Sequence, residues 1–95
     1  MGLTRADVEQ QLAEMNGWTL TENDMIERVY EFQDFLTGIA FVKDMADYAE
    51  HVQHHPQIVI DHTNITVRLK TFDQNAITEK DLSAAAAFNE KYSAY

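Results

Sequence analysis

The chain contains no cysteine. That excludes a disulfide framework, a thiolate metal site and a cysteine nucleophile. It also fits a reducing compartment. Proline occurs once and glycine three times, too few for a linker-like or disordered composition. No apolar run approaches the roughly 20 residues needed to cross a bilayer. The opening MGLTRADVEQ has no apolar signal core, so the expected location is the cytoplasm. Positive charge is scarce: 7 Lys and Arg against 16 Asp and Glu give a formal charge of −9. Nucleic acid and anionic membrane surfaces are recognised by clustered Lys and Arg. Neither is an expected partner.

What is present suits one small folded unit. The 95 residues are 45% hydrophobic, and the expectation is a single domain over 1–95. At this size roughly 65% of the unfolded chain's surface is buried on folding, enough for one core. Thr4 and Asp7 have capping-box spacing, with Leu3 and Val8 as a hydrophobic staple. Val8, Leu12 and Met15 then share a helical face, and Asn16-Gly17 is the expected stop. Trp18–Leu20 and Met25–Phe32 read as a strand pair across a polar turn. Asp34 is the expected N-cap of a long helix. Phe35, Ile39, Val42, Ala46 and Ala49 form its predicted buried stripe, with Leu36 and Met45 beside it. Pro56 bounds that helix. Ile58–Ile60 and the alternating Ile65, Val67 and Leu69 form a second strand pair around a turn at Asp61–Asn64. Thr78 and Asp81 repeat the capping-box spacing, with Ile77 and Leu82 as staple and Ala85, Phe88 and Tyr92 as a buried stripe. The order α-β-β-α-β-β-α predicts an α+β two-layer sandwich, a four-stranded antiparallel sheet with helices on one face.

All four histidines fall between 51 and 62: His51, His54, His55 and His62. Glu50 precedes His54 by four residues, which puts the two on one face if the helix runs that far. A turn at Asp61–Asn64 sets His54 and His55 opposite Thr71 and Phe72, with Asp81 close by. Three readings fit this cluster. The first is a set of surface histidines at a helix end. The second is a metal site from His51, His54 and His55, which the helix end before Pro56 disfavours because His51 and His55 then cannot face one point. The third is acid–base chemistry by neutral and protonated imidazoles on a substrate held in a groove. No metal and no cofactor are assigned, and the aromatic and methionine residues are read as core.

At these residues the chain resembles the pterin-4a-carbinolamine dehydratase family, also called 4a-hydroxytetrahydrobiopterin dehydratases. The resemblance rests on Glu50, His54-His55-Pro56, Thr71-Phe72 and Ile77-Thr78-Glu79-Lys80-Asp81. Gly17-Trp18, Phe32-Gln33-Asp34-Phe35 and Phe41 agree upstream, so it covers nearly the whole chain. His-His-Pro alone is a weak signal; the full set at these spacings is a strong one.

The resemblance implies dehydration of a 4a-carbinolamine, the product of aromatic amino-acid hydroxylases, to a quinonoid dihydropterin. It implies His54 and His55 as catalytic histidines and Glu50 as their supporting carboxylate. Asp81, Phe72, Pro56 and Thr71 would line the substrate site. Two roles fit Asp81, helix cap and site carboxylate. Where the family pattern has a third histidine this chain has Phe72, which can neither donate nor accept a proton. If that histidine were the principal acid or base, turnover would fall by roughly 10²–10⁴. His51 and His62 are the nearby substitutes. Ile58 stands where the family usually has an aromatic residue, and His62 where it often has tyrosine. A second class of function stays open, a non-catalytic pterin-binding or scaffold member of the same fold. The implied partners are a pterin and further copies of the chain, as homodimer or homotetramer, because a small sheet leaves edges that need cover.

Overall fold

The order α-β-β-α-β-β-α is the order observed in the computed structural model, which describes residues 2–95. The helices are α1 (Arg5–Leu12), α2 (Phe35–Val52) and α3 (Glu79–Tyr92). The strands are β1 (Thr19–Leu20), β2 (Ile26–Glu31), β3 (Gln57–Asp61) and β4 (Asn64–Leu69), and a 3₁₀ turn spans Phe72–Gln74. The sheet order is β1-β2-β4-β3, with every pairing antiparallel. Asp61 faces Asn64 and Gln57 faces Arg68, the register expected from the turn. His62 closes that turn with φ 53°, in the left-handed region.

One face of the sheet is buried and the other is open. Ile26 and Tyr30 on β2, with Ile65, Val67 and Leu69 on β4, are fully enclosed beneath the helices. Val29 and Val59 point the other way and are exposed. Alternation of side chains along a strand separates the two sets. Phe41 and Met45 of α2, with Leu82, Ala85 and Phe88 of α3, complete the core. Phe41 lies 4.7 Å from the Tyr30 ring and 5.2 Å from Phe32. Phe41→Ala is therefore expected to destabilise the fold by about 3–5 kcal/mol, the range for deleting a buried ring. Denaturant unfolding measures it; a loss under about 1 kcal/mol would mean the core does not rest on this contact.

Two expectations need correction. The buried stripe of α2 is Gly38, Phe41, Met45 and Ala49, rotated from the predicted one. Leu36 is 74% exposed and Phe35 is exposed beside it. The apolar arc of α2 is wide enough to offer two stripes, and close approach to β4 selects between them. Gly38 allows that approach: a Cβ there would stand 3.4 Å from both the Ile65 and Phe32 side chains. In addition, α1 stops at Leu12 rather than reaching Met15, and the chain turns over 13–17 before Gly17 at φ 80°.

Arg28 occupies a core-facing position, which the alternation pattern did not anticipate. Its guanidinium lies over the rings of Tyr30 and Tyr92 and donates to Asn89 Oδ1 and to the Asn16 carbonyl. Asn89 Oδ1 also accepts from Trp18 Nε1 and from the Tyr30 hydroxyl. A charged group is tolerated there because Nη1 is hydrogen-bonded and its plane is stacked. Among the described residues no helix is long and apolar enough to cross a membrane.

Candidate active site

The end of α2 decides where the two histidines point. Gln53 turns into the left-handed region at φ 54°, and His54 N–H returns to the Ala49 carbonyl. This is a helix-terminating turn, and Pro56 prevents the helix from resuming. The consecutive imidazoles therefore diverge. His54 swings inward, its side chain 10% exposed, while His55 stays in solvent.

The start of α3 receives His54. Thr78 caps the helix, and Asp81 closes a full capping box by accepting from Thr78 N–H at 2.9 Å. Asp81 is completely buried. Its Oδ2 also accepts from the Thr71 hydroxyl at 2.7 Å. Thr71 Oγ1 in turn lies 2.7 Å from Thr78 Oγ1, which accepts from Lys80 N–H. Asp81 Oδ1 is 2.6 Å from His54 Nε2. A carboxylate that already accepts two bonds acts here as an acceptor, so Nε2–H donates to it. Nδ1 is left as the acceptor of the neutral ring.

The spacing argument had paired Glu50 with His54; the structure pairs it with His55. His55 Nε2 meets Glu50 Oε2 at the surface. The helix ends before His54 can share a face with Glu50, and the reversal at Gln53 brings the next ring back instead. Thr71 and Asp81, expected to touch substrate, are buried against each other, and Asp81 Oδ1 is covered by His54. Pro56 is half-buried at the junction with β3.

Two clefts lie at the start of α3, and His54 lines one of them. One, of about 280 Å³, is lined by Tyr48, Val52, His54, Glu79, Lys80 and Ser83. The other, of about 270 Å³, shares Glu79 and Lys80 and adds Thr71, Asp73, Gln74 and Thr78. Phe72 lines neither and is 70% exposed. With Thr71 it was expected opposite the His54-His55 pair, but β4 ends at Leu69 and the 3₁₀ turn carries its ring off the ladder. The two possible substitutes for a third histidine do not enter the His54 cleft. His51 is exposed on the last turn of α2. His62 lies at the far end of β3, its ring parallel to Phe35 at 6.5 Å. No three metal-ligating side chains cluster among the described residues. The cleft residues Tyr48, Val52 and Ser83 escaped the sequence reading. Their signal was the i, i+4 spacing of Tyr48 with Val52 and of Glu79 with Ser83 on facing helices.

Comparison with known proteins agrees with this architecture. The sequence profile described as Pterin 4 alpha carbinolamine dehydratase matches residues 1–91. A Thermosynechococcus vestitus protein provisionally named pterin-4-alpha-carbinolamine dehydratase is 43% identical over 87% of this chain and 86% of its own. One from Koribacter versatilis, named in the same way, is 38% identical over 93% of each. Among solved structures, a transcriptional coactivator/pterin dehydratase from Brucella melitensis superposes with a TM-score of 0.93. It is 30% identical and covers 97% of this chain and 99% of its own. A pterin dehydratase-like protein identified as a RuBisCO assembly factor of the alpha-carboxysome shares the fold, with a TM-score of 0.69 at 20% identity, over 82% of this chain and 92% of its own.

Proposed function

The chain belongs to the pterin-4-alpha-carbinolamine dehydratase family, and from that premise we propose that it dehydrates a 4a-hydroxytetrahydropterin to the quinonoid dihydropterin. The observation that carries the reading is the clamp of buried Asp81 on His54 Nε2. His54 Nδ1 takes the proton from the ring nitrogen next to the carbinol carbon. The nitrogen's electron pair forms the C=N bond as the C–O bond breaks. His55, paired with Glu50, protonates the departing hydroxyl, and water leaves. His54 gains one proton and His55 loses one; solvent reprotonates the exposed His55, and His54 returns its proton to water through the cleft it lines once product has left. Imidazoles suit both halves because their unperturbed pKa lies near neutrality. The assay follows carbinolamine generated in place by a hydroxylase. No acceleration over buffer would sink the proposal.

Phe72 tests the division of labour. Because His55 already supplies the acid in this division, Phe72→His is expected to raise kcat/KM by less than about tenfold, well short of a full acid–base contribution. A gain of about 10² or more would move the acid from His55 to position 72.

The proposal extends to one cytoplasmic domain over 1–95, where a reducing compartment protects reduced pterins, and to a homodimer or homotetramer. Edge strand β3 supports self-association, with Val59 and Ile60 exposed beside the unpaired edge. Ile60→Lys is expected to shift the sedimentation mass toward the monomer, and an unchanged mass would place the interface elsewhere. A second reading, a non-catalytic module that binds a protein partner, is favoured by the exposed Phe72 ring. It requires no turnover and a specific complex lost in Phe72→Ser.

A further inference from the structure

At the end of α2 opposite His54 lies a cleft of about 380 Å³, lined by Glu31, Phe32, Gln33, Thr37, Tyr92 and Tyr95. We propose that it receives the guanidinium of an arginine side chain presented by a partner protein. Phe32 stands nearly perpendicular to both Tyr92, at 5.3 Å and 89°, and Tyr95, at 6.0 Å and 88°. Rings set at right angles form the walls of a cage rather than a stack, and the faces of such rings attract cations. The polar ends of the walls are fixed. The Tyr92 hydroxyl donates to the Glu31 carbonyl, and the Tyr95 hydroxyl donates to Asp44. That bond to Asp44 raises the Tyr95 pKa to about 12, so the ring stays a neutral phenol.

The same aromatic cluster already seats one guanidinium on its sheet side. Arg28 Cζ lies 4.4 Å from the Tyr30 ring centre and 5.1 Å from that of Tyr92. The outer cleft repeats this chemistry without a resident cation. No Lys or Arg lines it among the described residues, and the carboxylate-bearing residue there is Glu31. With a formal charge of −9 the whole chain draws a positive partner. A planar guanidinium stacks on tyrosine better than a compact ammonium does. The carboxylate of free arginine would meet the chain's own negative field, whereas an arginine within a polypeptide carries none. These points select an arginine in a partner protein. The inference is independent of the dehydratase reading, since none of these residues borders His54.

The test titrates the full chain with N-acetyl-arginine methylamide and watches the aromatic NMR signals of Phe32, Tyr92 and Tyr95. Saturable shifts are expected, with N-acetyl-citrulline methylamide, its neutral isostere, at least about fivefold weaker. The corresponding lysine compound and free L-arginine are both expected to bind less well. Tyr95→Leu and Glu31→Gln, both at the surface, should each weaken the arginine titration and leave the core signals in place. Equal binding of arginine and citrulline, or a titration unchanged in Tyr95→Leu, would overturn the proposal. Tighter binding of free L-arginine than of the capped form would overturn its assignment to a partner protein.

Discussion

His54→Ala is expected to slow carbinolamine dehydration by about 10²–10⁴-fold, the usual contribution of a positioned general acid or base. The expectation rests on position as well as residue type. Among the described residues His54 is the imidazole lining a cleft beside the buried carboxylate. Alanine also strands Asp81 Oδ1 without its donor, so a loss of stability accompanies the loss of rate. His54→Gln separates the two effects. Its amide can still donate to Asp81 but cannot take a proton, so the protein should melt near the parent temperature and remain slow. A His54→Gln variant with parental kcat would remove His54 from the chemistry.

The second large effect is at Asp81. Asp81→Ala orphans the Thr71 hydroxyl, the Thr78 N–H and the His54 ring at once. Breaking a buried charged network of this kind costs about 3–5 kcal/mol. In a domain of this size each kcal/mol lowers Tm by roughly 4–8 °C, so a fall of at least about 12 °C is expected in calorimetry. Asp81→Asn is the informative partner. The amide fits the space but turns one of its acceptors into a donor. If that donor meets His54, the ring must present the opposite tautomer, and the pH–rate profile should change along with a drop in kcat. A parental profile in a folded Asp81→Asn protein would show that Asp81 is a helix cap and nothing more.

Much of this was legible in the chain. The alternation of Ile65, Val67 and Leu69 fixed the wet and dry faces of β4, and the turn at Asp61–Asn64 fixed its register. That His54, Thr71 and Asp81 come close together was legible, but the pairings were not. Spacing joined Glu50 to His54, whereas one left-handed residue at Gln53 exchanged the partners. Thr4–Asp7 and Thr78–Asp81 look alike in sequence. Thr4 receives only the Asp7 N–H, while Thr78 and Asp81 form the full box with Thr71 and His54 attached. That difference comes from tertiary neighbours, which spacing does not encode. The link from Arg28 to Asn89 spans 61 positions and leaves no local pattern to read.

The dual use of Asp81 binds two properties that most proteins keep apart. One oxygen holds the first turn of α3 and the other aims the imidazole, so fraying of that turn and misaiming of His54 are a single event. Activity should then decline on warming with local opening of the first turn of α3, ahead of the global melt. Natural variation cannot tune the helix start and the aim of His54 independently: a substitution that loosens one loosens both.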